Sequence, residues 1–508
     1  MSPIRPAAVI ILAAGEGARM KSATPKVLHF LCGRTMLGHV LAASSALDPE
    51  QLIVVVGHGR DLLTAHLAEI ASHARVAIQE QQHGTGHATR IALQTAGELD
   101  GLVVVSYGDT PLLTPQTLRQ LISVHQQADN AVTMLSAIVP DPTGYGRVIR
   151  DRNGTVTGIV EERDATPEQR AIQEINSGIY AFDGKRLAGA LPQLKTNNAQ
   201  RQEYLTDVVG ILDTDGHRVG AAPAPDYRDI LGINDRVQLA EARRMLRDRL
   251  AAHWMREGVT FIDPATTWLD VDVTFEPDVT VHPHTQLMGH THLASGAQVG
   301  PGCALTDTQV GEGAAVTHAV CVAAEIGPQA TVGPFTYLRP GAKLGRKAKA
   351  GAYVEIKASE VGEGAKVPHL TYVGDAKIGE HTNIGAATVF VNYDGVSKHR
   401  TTIGSHARTG ADNMFIAPVT VGDGAYTAAG SVITEDVPPG ALGIARGEQR
   451  NVDGWVARKR PGTSAAQAAA CAMAPGGVAD AHQTGKAEFD DARRAGARGQ
   501  PGEKEPER

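Results

Sequence analysis

The sequence predicts two architectures in one chain: a doubly wound, Rossmann-like α/β sheet in the first half and a parallel β-helix in the second. Three observations carry this. An aliphatic run at residues 8–12 breaks into a glycine-rich turn. Strand and helix patterns then alternate. From about residue 299 to 432 a branched aliphatic residue followed by glycine keeps returning. At 508 residues the chain exceeds what one ordinary core holds, so two or more domains are expected.

Residues 8–12 are continuously apolar, as a strand buried on both faces requires, and lead into Ala13-Ala14-Gly15-Glu16-Gly17-Ala18-Arg19-Met20-Lys21. Small residues there let backbone N–H groups approach an anion, and Arg19 and Lys26 add positive charge; a tight strand-to-helix turn would use the same glycines. Strand runs at 52–56 and 102–106, with helical stretches such as 36–45 and 87–96 between them, give the βαβ rhythm of a parallel sheet. The run at 102–106 ends in Tyr107-Gly108-Asp109-Thr110-Pro111, which puts Asp109 just beyond a strand's carboxyl end, the edge where such sheets bind ligands. A carboxylate there can meet Mg²⁺ on nucleotide phosphates, though an aspartate before Thr-Pro also shapes turns.

Gln79 and Gly84-Thr85-Gly86 offer amides to a base edge, or simply a polar helix entry. The stretches around Gly146, Glu161 and Asn176 each set a polar group beside a strand and a flexible glycine, suited to sugar hydroxyls and equally to ordinary turns.

Leu239, Ala242, Leu246, Leu250 and Trp254 recur every three or four residues, the pattern of an amphipathic helix long enough to space two domains, with Asn234 as its expected N-cap. Strand-rich sequence follows from near Val259. Its anchors step mostly by six, as in Val332, Leu338, Leu344 and in Val361, Val367, Val373. That step suits a β-helix in which each aliphatic residue points inward, glycine opens the corner, and three flat faces make a coil of about eighteen residues. A Val/Gly-rich sandwich would instead alternate every two residues between hairpin dipeptides. Arg339 and Lys357, 18 apart, are expected to stack on one edge, where a sugar phosphate or a paired Glu355 would relieve their repulsion.

A net charge of −7 argues against an obligate nucleic-acid or membrane-surface protein. Cys32, Cys303, Cys321 and Cys471 form no CxxC pair, which suggests neither a zinc site nor a disulfide framework and fits reduced thiols in a cytoplasm. No stretch approaches the roughly twenty apolar residues of a membrane span. After Pro461 the composition turns to Ala, Gly, Pro and charge, and disorder is expected.

Together, LAAGEGARM, PKVLH, GTGHA, YGD, DPTGYGR, GIVEERDA, EINSGIY, EYLTD and GIND resemble the sugar-1-phosphate nucleotidylyltransferases. More specifically they resemble the bifunctional N-acetylglucosamine-1-phosphate uridyltransferase/glucosamine-1-phosphate acetyltransferase family, over residues 9–455. The resemblance implies an α/β doubly wound nucleotidyltransferase domain at 1–233 and a linker helix at 234–255. A left-handed parallel β-helix of hexapeptide repeats follows at 256–456, then a tail at 457–508. It implies a cytoplasmic homotrimer with sites shared between subunits, no nucleic acid and no membrane insertion. A uridyltransferase whose β-helix serves only oligomerisation or regulation is the alternative.

By the same resemblance Leu12, Ala13, Ala14, Gly15, Lys26, Gln79, Gly84 and Thr85 hold UTP, with Tyr107, Gly108 and Asp109 close by. Gly146, Glu161 and Asn176 hold the amino sugar, and Asp109 and Asn234 hold Mg²⁺. The attacking sugar phosphate is already ionised, so this half needs alignment and charge neutralisation, from Arg19, Lys26 and the metal, rather than a general base. In the second half Arg339, Lys357 and Tyr372 grip the amino-sugar phosphate, Asn383 orients the sugar, and His369 is the proton acceptor. Ala386, Asn392, Tyr393, Ala429 and Arg446 line the acetyl-CoA groove. Three positions depart from the family pattern: Ala387 replaces a glycine, Val391 a cysteine and Ala411 a serine, which bears on acetyl-CoA affinity.

Overall fold

The structure, a computed structural model, describes residues 5–474, so most of the predicted disordered tail lies outside the described residues. The chain divides into two units, 1–445 and 446–508.

The front of the first unit is built on nine strands: β1 (Ala8–Leu12), β2 (Gln51–Val56), β3 (Arg75–Ile78), β4 (Leu102–Tyr107), β5 (Val132–Ile138), β6 (Gly146–Arg150), β7 (Val156–Val160), β8 (Glu174–Asp183) and β9 (Val219–Pro223). They run in the order β9-β5-β8-β4-β1-β2-β3, with the β6–β7 hairpin attached to β8. Alternate side chains of β1 enter two cores, Val9 and Ile11 on one face and Ala8, Ile10 and Leu12 on the other, so the whole strand must be apolar.

One expectation is corrected: the sheet is mixed, because β8 runs antiparallel to both β4 and β5. The chain reaches β8 through a hairpin rather than a full helical crossover, so it re-enters from the opposite end.

The helix Arg236–Arg256 starts one residue later than expected. Its N-cap is Asp235, whose Oδ1 accepts from the N–H groups of Val237 and Gln238, both at 2.9 Å. Asn234 is thereby free to point elsewhere. Leu239, Ala242 and Leu246 pack with Met20, Leu31, Met36 and Leu112 of the front half, while Leu250 and Trp254 pack on the core of the second. The helix thus joins two cores.

From Thr260 onward short parallel strands stack into three faces of a left-handed parallel β-helix. Val281, Val299, Val316, Val332, Ala350 and Val367 form one buried column through it. Coils such as Thr331↔Lys349 and Lys349↔Lys366 follow the expected length, but one is much longer, Val389↔Met414. There residues 392–400 loop out, closed by Asp394 accepting from the N–H groups of Val396 and Ser397. Most glycines after the aliphatic anchors do not make the turn; Gly300 and Gly333, with positive φ, are exceptions. A Cβ on Gly345 would lie 2.9 Å from the next coil's backbone and one on Gly362 2.7 Å, so they permit close stacking. The chain turns two residues later, at left-handed Lys347 and Gly364.

In the second unit, Ser464–Met473 is helical within the stretch predicted to be disordered. It buries nothing; alanine propensity and a Thr463 cap suffice to form it.

Candidate functional site

β1 and β4 end side by side, Leu12 beside Tyr107, and open onto a cavity of about 260 Å³. Leu12, Ala13, Ala14, Gly15, Lys26, Gln79, Gly84, Thr85, Tyr107 and Asp109 line it, ten of the residues the sequence singles out, together with Val27, Gln82, Ala88 and Gln202. Gln82 donates to the Ala14 carbonyl at 2.8 Å. Gln202 arrives because its loop folds onto the Gly84 loop: Gly86 N–H donates to Glu203 O at 2.9 Å, and Arg90 donates to both Glu203 carboxylate oxygens. Nothing in the spacing of residues 84 and 203 signals that closure. Gly84 has a φ of 109° and a Cβ there would sit 2.4 Å from the Glu203 carbonyl, so only glycine fits.

Lys26 crosses the loop because Gly17 has no side chain; a Cβ there would lie 2.5 Å from that of Lys26. Its Nζ donates to the Asp109 carboxylate and to Asn234 Oδ1 at 3.2 Å, and Ile233 N–H donates to the Asp109 carbonyl at 2.9 Å. Two hard oxygen ligands thus converge on one cationic centre, a donor set that suits Mg²⁺ as well as the ammonium now between them. Arg19 is exposed and does not line the cavity, and Gly108 is packed beneath Ala13.

Gly146, Glu161 and Asn176 form a second cluster. Gly146 pairs with Asn176 across β6 and β8, and a Cβ on Gly146 would lie 3.5 Å from the Glu161 carboxyl. A bulge after Asn176 turns its side chain, which donates to Tyr180 Oη at 2.7 Å and accepts from Gly178 N–H at 3.1 Å. Burial pushes the Glu161 carboxyl above its ordinary range; the nearby Thr206 hydroxyl opposes this, and Asp207 and Asp164 add to it. The Tyr107 ring, which lines the cavity, also fills the space over Gly178.

On the β-helix, His369 opens a column along one edge. Ala387 N–H donates to His369 O at 3.3 Å, Asp412 N–H to Ala386 O at 2.7 Å, and Gly430 N–H to Ala411 O at 2.9 Å. His369, Ala386, Ala411 and Ala429 therefore follow one another up the stack, and the small side chains leave a shelf above the exposed imidazole. Around the edge, Tyr337, Glu355 and Tyr372 share one register position, and Arg339, Lys357 and Gly374 another. The cations stack as expected. Arg339 pairs with Glu355 at 2.9 Å, and Lys357 with Asp375 at 3.1 Å. Asp375 also accepts from Asn392 at 2.5 Å.

Asp375 escapes a reading of the sequence because it sits at an ordinary corner position, left-handed at φ 50°. Lys398, on the looped-out segment, adds a third cation, and the Lys357 ammonium holds its amine below the ordinary range. Tyr393 is exposed and donates to Gly395 O at 2.6 Å. Asn383 aligns with Lys366 and Arg408 on the neighbouring face, so it lies across the edge from the cations of its own chain. Arg446 begins the second unit and is exposed.

A strand-end cavity with a lysine, carboxylate and carboxamide, followed by a histidine-edged β-helix, defines a bifunctional transferase: a nucleotidyltransferase joined to an acyltransferase. The MobA-like NTP transferase domain family matches residues 9–172. Proteins named bifunctional protein GlmU are similar over nearly the whole chain. That of Streptomyces coelicolor is 66% identical across 92% of this chain and 98% of its own length. That of Thermobifida fusca is 61% identical across 93% and 99%, and that of Corynebacterium aurimucosum 54% across 92% and 97%. The chain belongs to the GlmU family, the bifunctional N-acetylglucosamine-1-phosphate uridyltransferase/glucosamine-1-phosphate acetyltransferases.

Proposed function

We propose that the family's two activities are divided between the two constellations. At the β-helix edge Arg339, Lys357 and Tyr372 hold the phosphate of glucosamine-1-phosphate. Its amine attacks the acetyl-CoA thioester carbonyl, the C–N bond forms as the C–S bond breaks, and His369 takes the amine proton and passes it to the departing sulfur, so that CoA leaves as its thiol. The alanine shelf above His369 carries this reading, since small side chains there leave room for a thioester against the imidazole. Asn392 and Tyr393 complete the acetyl-CoA groove.

In the front cavity the phosphate oxygen of N-acetylglucosamine-1-phosphate attacks the α-phosphorus of UTP, and pyrophosphate leaves. Ala13 to Gly15 and Lys26 cradle the phosphates, Gln79, Gly84 and Thr85 the base, and Gly146, Glu161 and Asn176 the sugar. Asp109 and Asn234 would hold Mg²⁺, which supplies positive charge to the phosphates. Arg19 reaches the leaving group from the rim. The product is UDP-N-acetylglucosamine, a precursor for peptidoglycan.

A homotrimer is supported by exposed apolar groups beside His369. Phe335 and Tyr353 stack at 5.3 Å, and Leu370 follows on the same edge. A neighbouring β-helix laid there would cover them and supply an Asn383 to the site. Reliance on UTP and acetyl-CoA supports a cytoplasmic location; among the described residues no helix is long and apolar enough to cross a membrane.

The test supplies full-length protein with glucosamine-1-phosphate, acetyl-CoA, UTP and Mg²⁺, and follows free thiol and pyrophosphate. Asp109→Ala should nearly abolish uridyl transfer and spare acetyl transfer, and His369→Ala the reverse. Equal loss of both in either variant would sink the division.

A further inference from the structure

The β6–β7 hairpin carries two of the three sugar-binding candidates, Gly146 and Glu161, and each is followed by a member of one ion pair, a buried arginine with a partly exposed glutamate. Arg147, only 1% exposed, lies 2.8 Å from Glu162. Its guanidinium also donates to the carbonyls of Tyr145 and Arg170. Tyr145 in turn accepts from Gly232 N–H at 3.3 Å, two residues before Asn234. One arginine therefore fastens the hairpin's open end and the 163–170 segment.

We infer that Arg147 and Glu162 are positioning residues that hold the sugar-binding lip and so set affinity for the sugar phosphate rather than for UTP; this rests on the proposed uridyl site. An ion pair whose arginine is buried contributes little net stability compared with apolar residues of the same volume, because that charge must be stripped of water. Its place beside two sugar contacts is better explained by geometry: the planar fork meets a carboxylate and two carbonyls at once, which fixes the direction of the chain at Gly146 and Glu161. Neither side chain lines the nucleotide cavity.

The experiment measures uridyl transfer by full-length Arg147→Met, Glu162→Leu, the double variant and Arg147→Lys, varying N-acetylglucosamine-1-phosphate at saturating UTP and UTP at saturating sugar phosphate. Sugar-phosphate KM should rise about tenfold or more while UTP KM stays within about twofold, the pattern of lost ground-state binding to one substrate. The double variant should be no worse than the poorer single one, as for groups acting through one contact. Arg147→Lys, which keeps the charge and loses the fork, should recover only part of the affinity. Acetyl transfer by the same chains reports on folding of the rest. Should Arg147→Met fail to fold its front half, the shape-preserving Glu162→Gln carries the test and should show the same KM split. An unmoved sugar-phosphate KM, or equal rises for both substrates, overturns the inference. Wild-type protein that never releases pyrophosphate overturns the proposed function instead.

Discussion

Lys357 and Asp375 bridge two successive coils of the β-helix, with Nζ 3.1 Å from Oδ2, and Asn392 donates to that same oxygen. One carboxylate therefore orients a sugar-phosphate candidate and an acetyl-CoA candidate together. Asp375→Ala leaves the Asn392 amide, which is buried, without its acceptor, and the acetyl-CoA KM should rise about tenfold while uridyl transfer is unchanged. Steady-state acetylation against acetyl-CoA checks this; an unaltered KM would show that the bridge is only structural.

The same carboxylate gives a pH dependence. Burial alone would raise Asp375, but hydrogen bonds from Asn392 and Lys357 outweigh it and hold the group below its ordinary range. A depressed carboxyl contributes stability that is present above its unfolded pKa and lost as pH falls through the folded one. Wild type should therefore exceed Asp375→Asn in unfolding midpoint at neutral pH, with the gap closing only below about pH 4.

Glu161 has the opposite sign. Its carboxyl is raised chiefly by burial, so the folded state binds the proton more tightly than the unfolded chain, and ionisation destabilises the fold as pH rises past the unfolded value. Glu161→Gln should melt higher than wild type near about pH 8, match it near about pH 4, and lose affinity for N-acetylglucosamine-1-phosphate. A lower melting temperature at neutral pH would contradict the burial argument.

Gly374 leaves the space in which two neighbours meet. A Cβ there would lie 2.5 Å from Tyr372 Oη and 2.6 Å from Asn392 Nδ2. Gly374→Ala must displace both, and acetylation kcat/KM should fall by about a hundredfold, the usual consequence of moving a site by an ångström.

Ala387 adopts a left-handed backbone, with a φ of 61°. A methyl group in the left-handed region is strained by more than glycine's extra chain entropy, so Ala387→Gly should stabilise the protein by about 0.5 to 1 kcal/mol. It should also lower the acetyl-CoA KM, because it clears the shelf beside His369. Denaturant midpoints and acetylation kinetics would check the two effects separately.

Much of the site was readable in the chain because its residues lie in local motifs. The front cavity gathers loops at strand ends, and strand ends are visible wherever an aliphatic run stops at glycine, as at Leu12 and Tyr107. Arg339 above Lys357 follows from the repeat length. Gln82, Gln202 and the Arg147–Glu162 pair left no comparable trace, since each depends on a fold-back between segments whose separation has no period.

Periodicity and strand-end glycines belong to the sequence: they dictate a coil of stacked aliphatic residues in the second half and an apolar, two-faced strand at the start of the first, because burial demands those patterns. Tertiary structure alone decided the rest. Only packing could turn β8 antiparallel, or hand the helix cap to Asp235 and leave Asn234 to Lys26. Hydrogen-bond partners are chosen by distance in space, and distance in space is what a linear pattern does not carry.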